Sequence, residues 1–251
     1  MITPGDRDLR CPEAAWGLCH LPSRWIALLL IVAPFFLARA TRADIELTAK
    51  EDSGPTVVIA DDPVDFDPLG ISFNGSFGDF RSTIHAISTN ASAASDLSLI
   101  STITNTSSAT HTLTIGLTQD NFTLPSPSSE TLKSAIGGAF ALSVAGDSIS
   151  LTAYANNSNG LFDTVGATSP GAESATSPGG NAVPFSSGTT VVPFTRTSGL
   201  YSLTTMTTIT LAPGSSVNFG ADPVVAVPEP AGLTLLCLGG MLALRRRRAV
   251  A

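Results

Sequence analysis

The chain is expected to be all-β, an antiparallel β-sandwich between two apolar terminal segments. Three observations predict this. Between residues 44 and 227 apolar side chains recur at period two, the mark of strands with one buried face, and no stretch there carries a helical period. The same stretch is rich in Thr, Val and Ile, whose branched Cβ suits a pleated surface. The chain's three cysteines, Cys11, Cys19 and Cys237, all lie in the end segments, so the body must be held by its own apolar core rather than by disulfides.

Taken in order, short strands are predicted over 45–49, 56–60, 71–77 and 83–88. Leu97 and Leu99 alternate with Ser98, and Ile103 follows in phase. Leu113, Ile115 and Leu117 alternate with Thr112, Thr114 and Gly116. The loop over 105–110 is short and polar, so these two segments are expected to pair as a hairpin. A second hairpin is expected from 135–144 and 148–154, turning at Ala145-Gly146-Asp147, with Ile149, Leu151 and Ala153 inward. Residues 164–187 contain Ser169-Pro170-Gly171 and Ser177-Pro178-Gly179-Gly180 and are expected to form a long mobile loop. The last strands fall at 189–194 and 200–211. In the latter, Tyr201, Leu203, Ile209 and Leu211 share parity while Met206 opposes them, which requires a bulge or a residue buried on the other face.

The body, 44–227, is long enough for one domain that buries about two thirds of its unfolded surface. It has no tryptophan, and its tyrosines are Tyr154 and Tyr201, so Ile, Leu, Val and Phe must fill the core. Between Asp44 and Pro230 the bases are Lys50, Arg81, Lys133 and Arg196 against 17 acids, a net charge of −13. Such a surface repels phosphate backbones and argues against nucleic acid as a partner.

Residues 1–43 and 228–251 carry targeting patterns. Arg24 precedes an apolar run over 25–37, and small residues follow at Ala38-Arg39-Ala40 and Thr41-Arg42-Ala43. This is a secretory signal peptide, cut by signal peptidase after Ala40 or Ala43. Residues 1–23 are either a long leader or the product of an upstream start, and Cys19 stands before the apolar run, against a lipoprotein. At the other end, Pro228, Glu229 and Pro230 are followed by an apolar run over 231–244 and by Arg245, Arg246, Arg247 and Arg248. At ~1.5 Å per residue such a helix spans roughly 21 Å, short of the ~30 Å hydrocarbon core. Arginine snorkelling or bilayer thinning must supply the rest of a transmembrane helix. Four adjacent arginines predict a cytoplasmic C-terminus, with the body outside.

Val227-Pro228-Glu229-Pro230, the apolar run and Arg245 to Arg248 together resemble the PEP-CTERM sorting domain of exported proteins of Gram-negative-type bacteria. The resemblance spans about the last 25 residues. It implies that Pro228, Glu229 and Pro230 are recognised by an exosortase-type membrane protease, after which the protein reaches the cell surface or medium. It implies no chemistry for the body.

Candidate chemistry in the body is sparse. His85 and His111 are its only histidines, both within strand patterns; no Gly-x-Ser-x-Gly accompanies them, which argues against a hydrolase, and they lack zinc-ligand spacing. No cofactor is expected. Asp61, Asp62, Asp65 and Asp67 could surround Ca²⁺ or form a solvated acidic loop. Two functions remain: a non-catalytic surface or extracellular-matrix protein associated with exopolysaccharide, or a carbohydrate- or calcium-binding adhesion module. Sugar platforms usually need exposed aromatics. Exposure of Tyr154 or Tyr201 beside a polar groove is therefore the discriminating feature.

Overall fold

The alternating segments form thirteen strands in a computed structural model that describes residues 44–60, 70–92, 94–125 and 129–227. They are β1 (Ile45–Glu51), β2 (Val57–Ala60), β3 (Gly70–Phe77), β4 (Phe80–Asn90), β5 (Ala94–Asn105), β6 (His111–Phe122) and β7 (Ser129–Ser143), followed by β8 (Ser148–Asn156), β9 (Ala172–Thr176), β10 (Gly180–Thr195), β11 (Tyr201–Leu211), β12 (Ser216–Ala221) and β13 (Val224–Ala226). Two antiparallel sheets result. One has the order β2-β1-β6-β11-β8-β9, and the other β10-β7-β12-β5-β4-β3, with β13 pairing β5 and β7.

The pleat decides what is buried. In β4, Phe80, Ser82, Ile84, Ala86 and Ser88 are buried while Arg81, Thr83, His85, Ile87 and Thr89 are exposed. Inward residues of both sheets, among them Leu47, Leu117 and Ile209 from one and Leu99, Ile103 and Val217 from the other, merge into one apolar cluster. Each such side chain contributes about 1.5–3 kcal/mol when removed from water. Tyr201 is sealed among Phe122 and Phe194, its hydroxyl donating to the Leu124 carbonyl.

Both expected hairpins are corrected. β5 pairs β4 and β12, whereas β6 pairs β1 and β11 in the opposite sheet. Likewise β7 pairs β10 and β12, and β8 pairs β11 and β9. The two connections are arches across the core. Alternation could not separate the alternatives, because an arch and a hairpin both give strands with one buried face. What closes each arch is a buried polar side chain. Asn105 Nδ2 donates to the Ala109 and Leu211 carbonyls at 2.8 Å each, and its Oδ1 accepts the Ser107 N–H at 2.9 Å. Asp147 does the same for the second arch, accepting the N–H groups of Val144 (2.8 Å) and Ala212 (2.7 Å).

The expected mobile loop over 164–187 is also corrected, since β9 and the start of β10 lie within it. β9 pairs β8, and Thr168 bridges Ala155. Glu173 joins the two sheets at this edge. Its buried carboxylate accepts the Ser187 hydroxyl at 2.6 Å and that of Thr190, both on β10. β10 is an edge strand carrying Pro184 and Pro193, which cannot donate to a further strand. In β11 the register shift lies between Tyr201 and Leu203. Met206 is half-buried, its sulfur beside the space over Gly116.

Two outcomes are expected. Asn105→Ala leaves two carbonyls without their donor and should cost about 2–4 kcal/mol in urea unfolding, far more than a solvated hairpin loop would. Asp96, half-buried and near Asp222, has its carboxyl pushed up from 3.8 to about 6, chiefly by desolvation and then by Asp222. A raised folded-state value means that its stabilising contribution is complete below pH 3.8 and is lost as pH rises to about 6. Asp96→Asn should therefore flatten the stability profile over that window and gain on the order of 1 kcal/mol at neutral pH, discounted for partial exposure.

Candidate functional site

Most of the residues singled out in the sequence lie outside the described part of the structure. These are Ala38, Ala40 and Ala43, the carboxylates Asp61, Asp62, Asp65 and Asp67, the tripeptide Pro228-Glu229-Pro230 and Arg245 to Arg248. His85 lies on the exposed face of β4, where Nδ1 meets Ser72 Oγ at 2.9 Å. Tyr201 is fully buried and Tyr154 half-buried. The exposed large apolar side chains, such as Val57, Val58, Ile100 and Val165, include no aromatic ring among the described residues.

His111 stands elsewhere, at one end of the sandwich where three connections meet. β1 ends at Glu51 and turns through Asp52, whose backbone is left-handed (φ 41°), a conformation Asp tolerates. The Asp52 N–H donates to the Thr112 carbonyl at 2.8 Å, and its carboxylate accepts the Thr112 N–H at 2.9 Å. That carboxylate lies 2.6 Å from His111 Nδ1. The second connection is the β3–β4 turn at Gly78 and Asp79. Gly78 is required twice over: its φ is +57°, and a Cβ there would stand 1.6 Å from Glu51 Oε2. The space lets Glu51 Oε2 accept the Asp79 N–H at 3.0 Å. The third is the arch from β5, tied to the same turn by Thr106, whose N–H and hydroxyl donate to the Asp79 carbonyl at 2.9 and 2.7 Å.

His111 is thus surrounded by carboxylates. Besides Asp52, Nδ1 lies 3.6 Å from Glu51 Oε1, and Nε2 lies 3.4 Å from Asp79 Oδ2. The hydrogen bond with His111, followed by that from the Thr112 N–H, holds the Asp52 carboxyl below its ordinary range. The same bond with Asp52 raises His111 above an ordinary imidazole, and the charges of Asp52, Glu51 and Asp79 act in the same direction. Beside the cluster lies a cleft of ≈ 140 Å³ with apolar walls at Ala49, Val57 and Phe77 and with Glu51 and Gly78 on its lining.

This cluster escaped sequence reasoning because its members belong to three connections, His111 and Asp52 being 59 residues apart. The one available signal was acids at the ends of predicted strands, at Glu51 and Asp79.

The fold and this end define an antiparallel β-sandwich with a polar cluster where its turns converge. No protein-family model matches the chain, and no curated protein matches it. Among solved structures it is similar to TmCBM61, solved in complex with β-1,4-galactotriose, at 10% identity and TM-score 0.28 over 60% of this chain and 90% of that one. It is also similar to a member of the carbohydrate-binding modules from the β-sandwich superfamily, at 13% identity and TM-score 0.27 over 72% of each chain. A third likeness is to the enzymatically active domain of tailspike protein 4 of bacteriophage CBA120, at 6% identity and TM-score 0.26 over 57% of this chain and 19% of that one. At such scores the likenesses carry no argument about fold or ligand.

Gly78→Ala should displace the Glu51 carboxylate and strain the turn, lowering stability by about 1–2 kcal/mol in thermal or urea unfolding. A variant as stable as the parent would show that Glu51 has no fixed place in the cluster.

Proposed function

We propose that the chain is an exported, non-catalytic surface or extracellular-matrix protein whose β-sandwich binds extracellular polysaccharide through its turn end. The reading of export rests on the terminal segments. A signal peptide is removed after Ala40 or Ala43, and the tail holds the chain in the inner membrane with Arg245 to Arg248 in the cytoplasm. An exosortase-type protease then acts at Pro228-Glu229-Pro230.

The observation that carries the binding role is the convergence of polar groups from separate turns beside an apolar-walled cleft. Pockets that bind small molecules and sugars combine apolar walls with a few fixed polar groups, and loops on a rigid scaffold present them. With Tyr201 sealed and no ring among the exposed large apolar side chains of the described residues, a sugar there would be held by hydrogen bonds rather than by stacking. A body of charge near −13 favours neutral over anionic polysaccharides. The non-catalytic reading is supported by both histidines. Among the described residues His85 meets the Ser72 hydroxyl and no carboxylate, and both nitrogens of His111 face acids rather than a serine.

Two measurements test this. In affinity electrophoresis of the full chain, at least one neutral polysaccharide should retard migration, and Val57→Asp, which places a charge on the cleft wall, should abolish the retardation. Passage through every neutral polysaccharide unretarded would overturn the binding role. For sorting, a Glu229→Ala variant should accumulate in the inner membrane with its body outside, in a host with the matching protease. If it partitions among membrane, surface and medium as the parent does, the tripeptide is only a spacer.

A further inference from the structure

In the cluster at the turn end, a ring nitrogen and a carboxylate oxygen face one another at ion-pair distance without a hydrogen bond between them. Asp52 lies 2.6 Å from His111 Nδ1 and takes its proton as a hydrogen bond, which in the neutral ring leaves a lone pair on Nε2. That lone pair faces Asp79 Oδ2 at 3.4 Å. Two lone pairs at this range repel unless a positive centre lies between them, a role open to a ring proton in an ion pair or to a metal ion. The separation also fits such a centre. A tetrahedral ion bound to nitrogen at ~2.0–2.1 Å and to a carboxylate oxygen at ~2.0–2.2 Å sets those two atoms roughly 3.4 Å apart.

A third group faces the same ring. Glu51 Oε1 is closed off from solvent and accepts no hydrogen bond, lying 3.6 Å from His111 Nδ1, while its sister oxygen is held by the Asp79 N–H. A buried carboxylate oxygen without a donor costs free energy unless a cation satisfies it. Glu51, Asp79 and His111 each offer one ligand atom, all within 4.8 Å of one another. Glu51 Oε1 lies 3.6 Å from Nδ1, so to join Asp79 at Nε2 its carboxylate would have to swing within the space over Gly78.

We propose that Glu51, Asp79 and His111 form a divalent metal site of the zinc class, with Asp52 as the residue that positions the His111 ring. The donor set selects the metal. An imidazole with two carboxylates suits Zn²⁺, whereas Ca²⁺ takes six to eight oxygens and gains nothing from the nitrogen. The carboxylate on Nδ1 is the outer partner that metal-bound histidines usually have, fixing tautomer and ring orientation. Three protein ligands leave a fourth position for water or for an oxygen of a bound molecule. The metal would join the β1–β2 turn, the β3–β4 turn and the β5–β6 arch, so it should stiffen this whole end. The site stands whether or not the sandwich binds polysaccharide.

The test uses the full chain with Cys11, Cys19 and Cys237 replaced by Ser and His20 by Ala, so that thiolates and the leader histidine bind no metal. Calorimetric titration with Zn²⁺ should show saturable binding of about one ion, Co²⁺ should give the visible absorption of a tetrahedral nitrogen–oxygen site, and the melting temperature should rise with Zn²⁺. His111→Ala should abolish all three signals, and Asp79→Asn should weaken binding at least tenfold. Asp52→Asn should cost roughly 10–100-fold, as loss of an outer partner does. His85→Ala should change nothing. Circular dichroism confirms that each variant is folded, and Asp79→Asn serves if His111→Ala is not. Absence of saturable Zn²⁺ binding would overturn the site. So would binding that survives His111→Ala, or Ca²⁺ binding tighter than Zn²⁺.

Discussion

Everything in this molecule depends on one apolar layer closed between two sheets. The described part of the chain has neither disulfide nor helix to support it, so the central strands are held by burying one face against the other sheet, and edge strands such as β2 by pairing with them. The layer includes Leu47 and Leu117 on one side and Leu99 and Val217 on the other, within one cluster. A chain that builds it by moving repeatedly between sheets must carry backbone across the core edges. There the peptide groups lose water and need substitutes. Asn105 and Asp147 supply them, which is why two polar residues are sealed at the rim of an apolar interior.

The same constraint builds the candidate site. Because strands cross from one sheet to the other, connections remote in sequence are delivered to the same end. The turn after β1 brings Asp52, the turn after β3 brings Gly78 and Asp79, and the arch after β5 brings His111. Thr106 ties the arch to the second turn through the Asp79 carbonyl, so the three are fixed relative to one another. The acids are tolerated side by side because they share one imidazole and two backbone N–H groups. Gly78 contributes by having no side chain where Glu51 must lie.

Sequence patterning located most strands but not their partners. Period two marked Leu113, Ile115 and Leu117, and Ile149, Leu151 and Ala153, as inward, and all are buried. It paired 97–103 with 111–117 and 135–144 with 148–154, and both pairings were wrong. Loop length and polarity are equally compatible with a hairpin and with an arch. The Ser-, Pro- and Gly-rich composition over 164–187 suggested a loop, yet β9 and the first part of β10 form there. Pairing with β8 and β7 and the hydrogen bonds to Glu173 override local propensity. The site was harder still. The carboxylates conspicuous in the sequence, Asp61 to Asp67, lie outside the described residues, whereas Glu51, Asp52 and Asp79 gain meaning only from their distance to His111.

By itself the chain determined its class and its expected address. Alternation at period two, the absence of body cysteines and the excess of Thr, Val and Ile suffice for an antiparallel β-sandwich, because each is a property of short windows or of composition. The terminal patterns, read the same way, predict export and sorting. Which strand lies beside which, and which acids meet which histidine, was decided only by the tertiary structure. These depend on contacts between residues far apart in the chain, set by packing of the shared core and by buried hydrogen bonds at the arches. A linear pattern carries no measure of that distance.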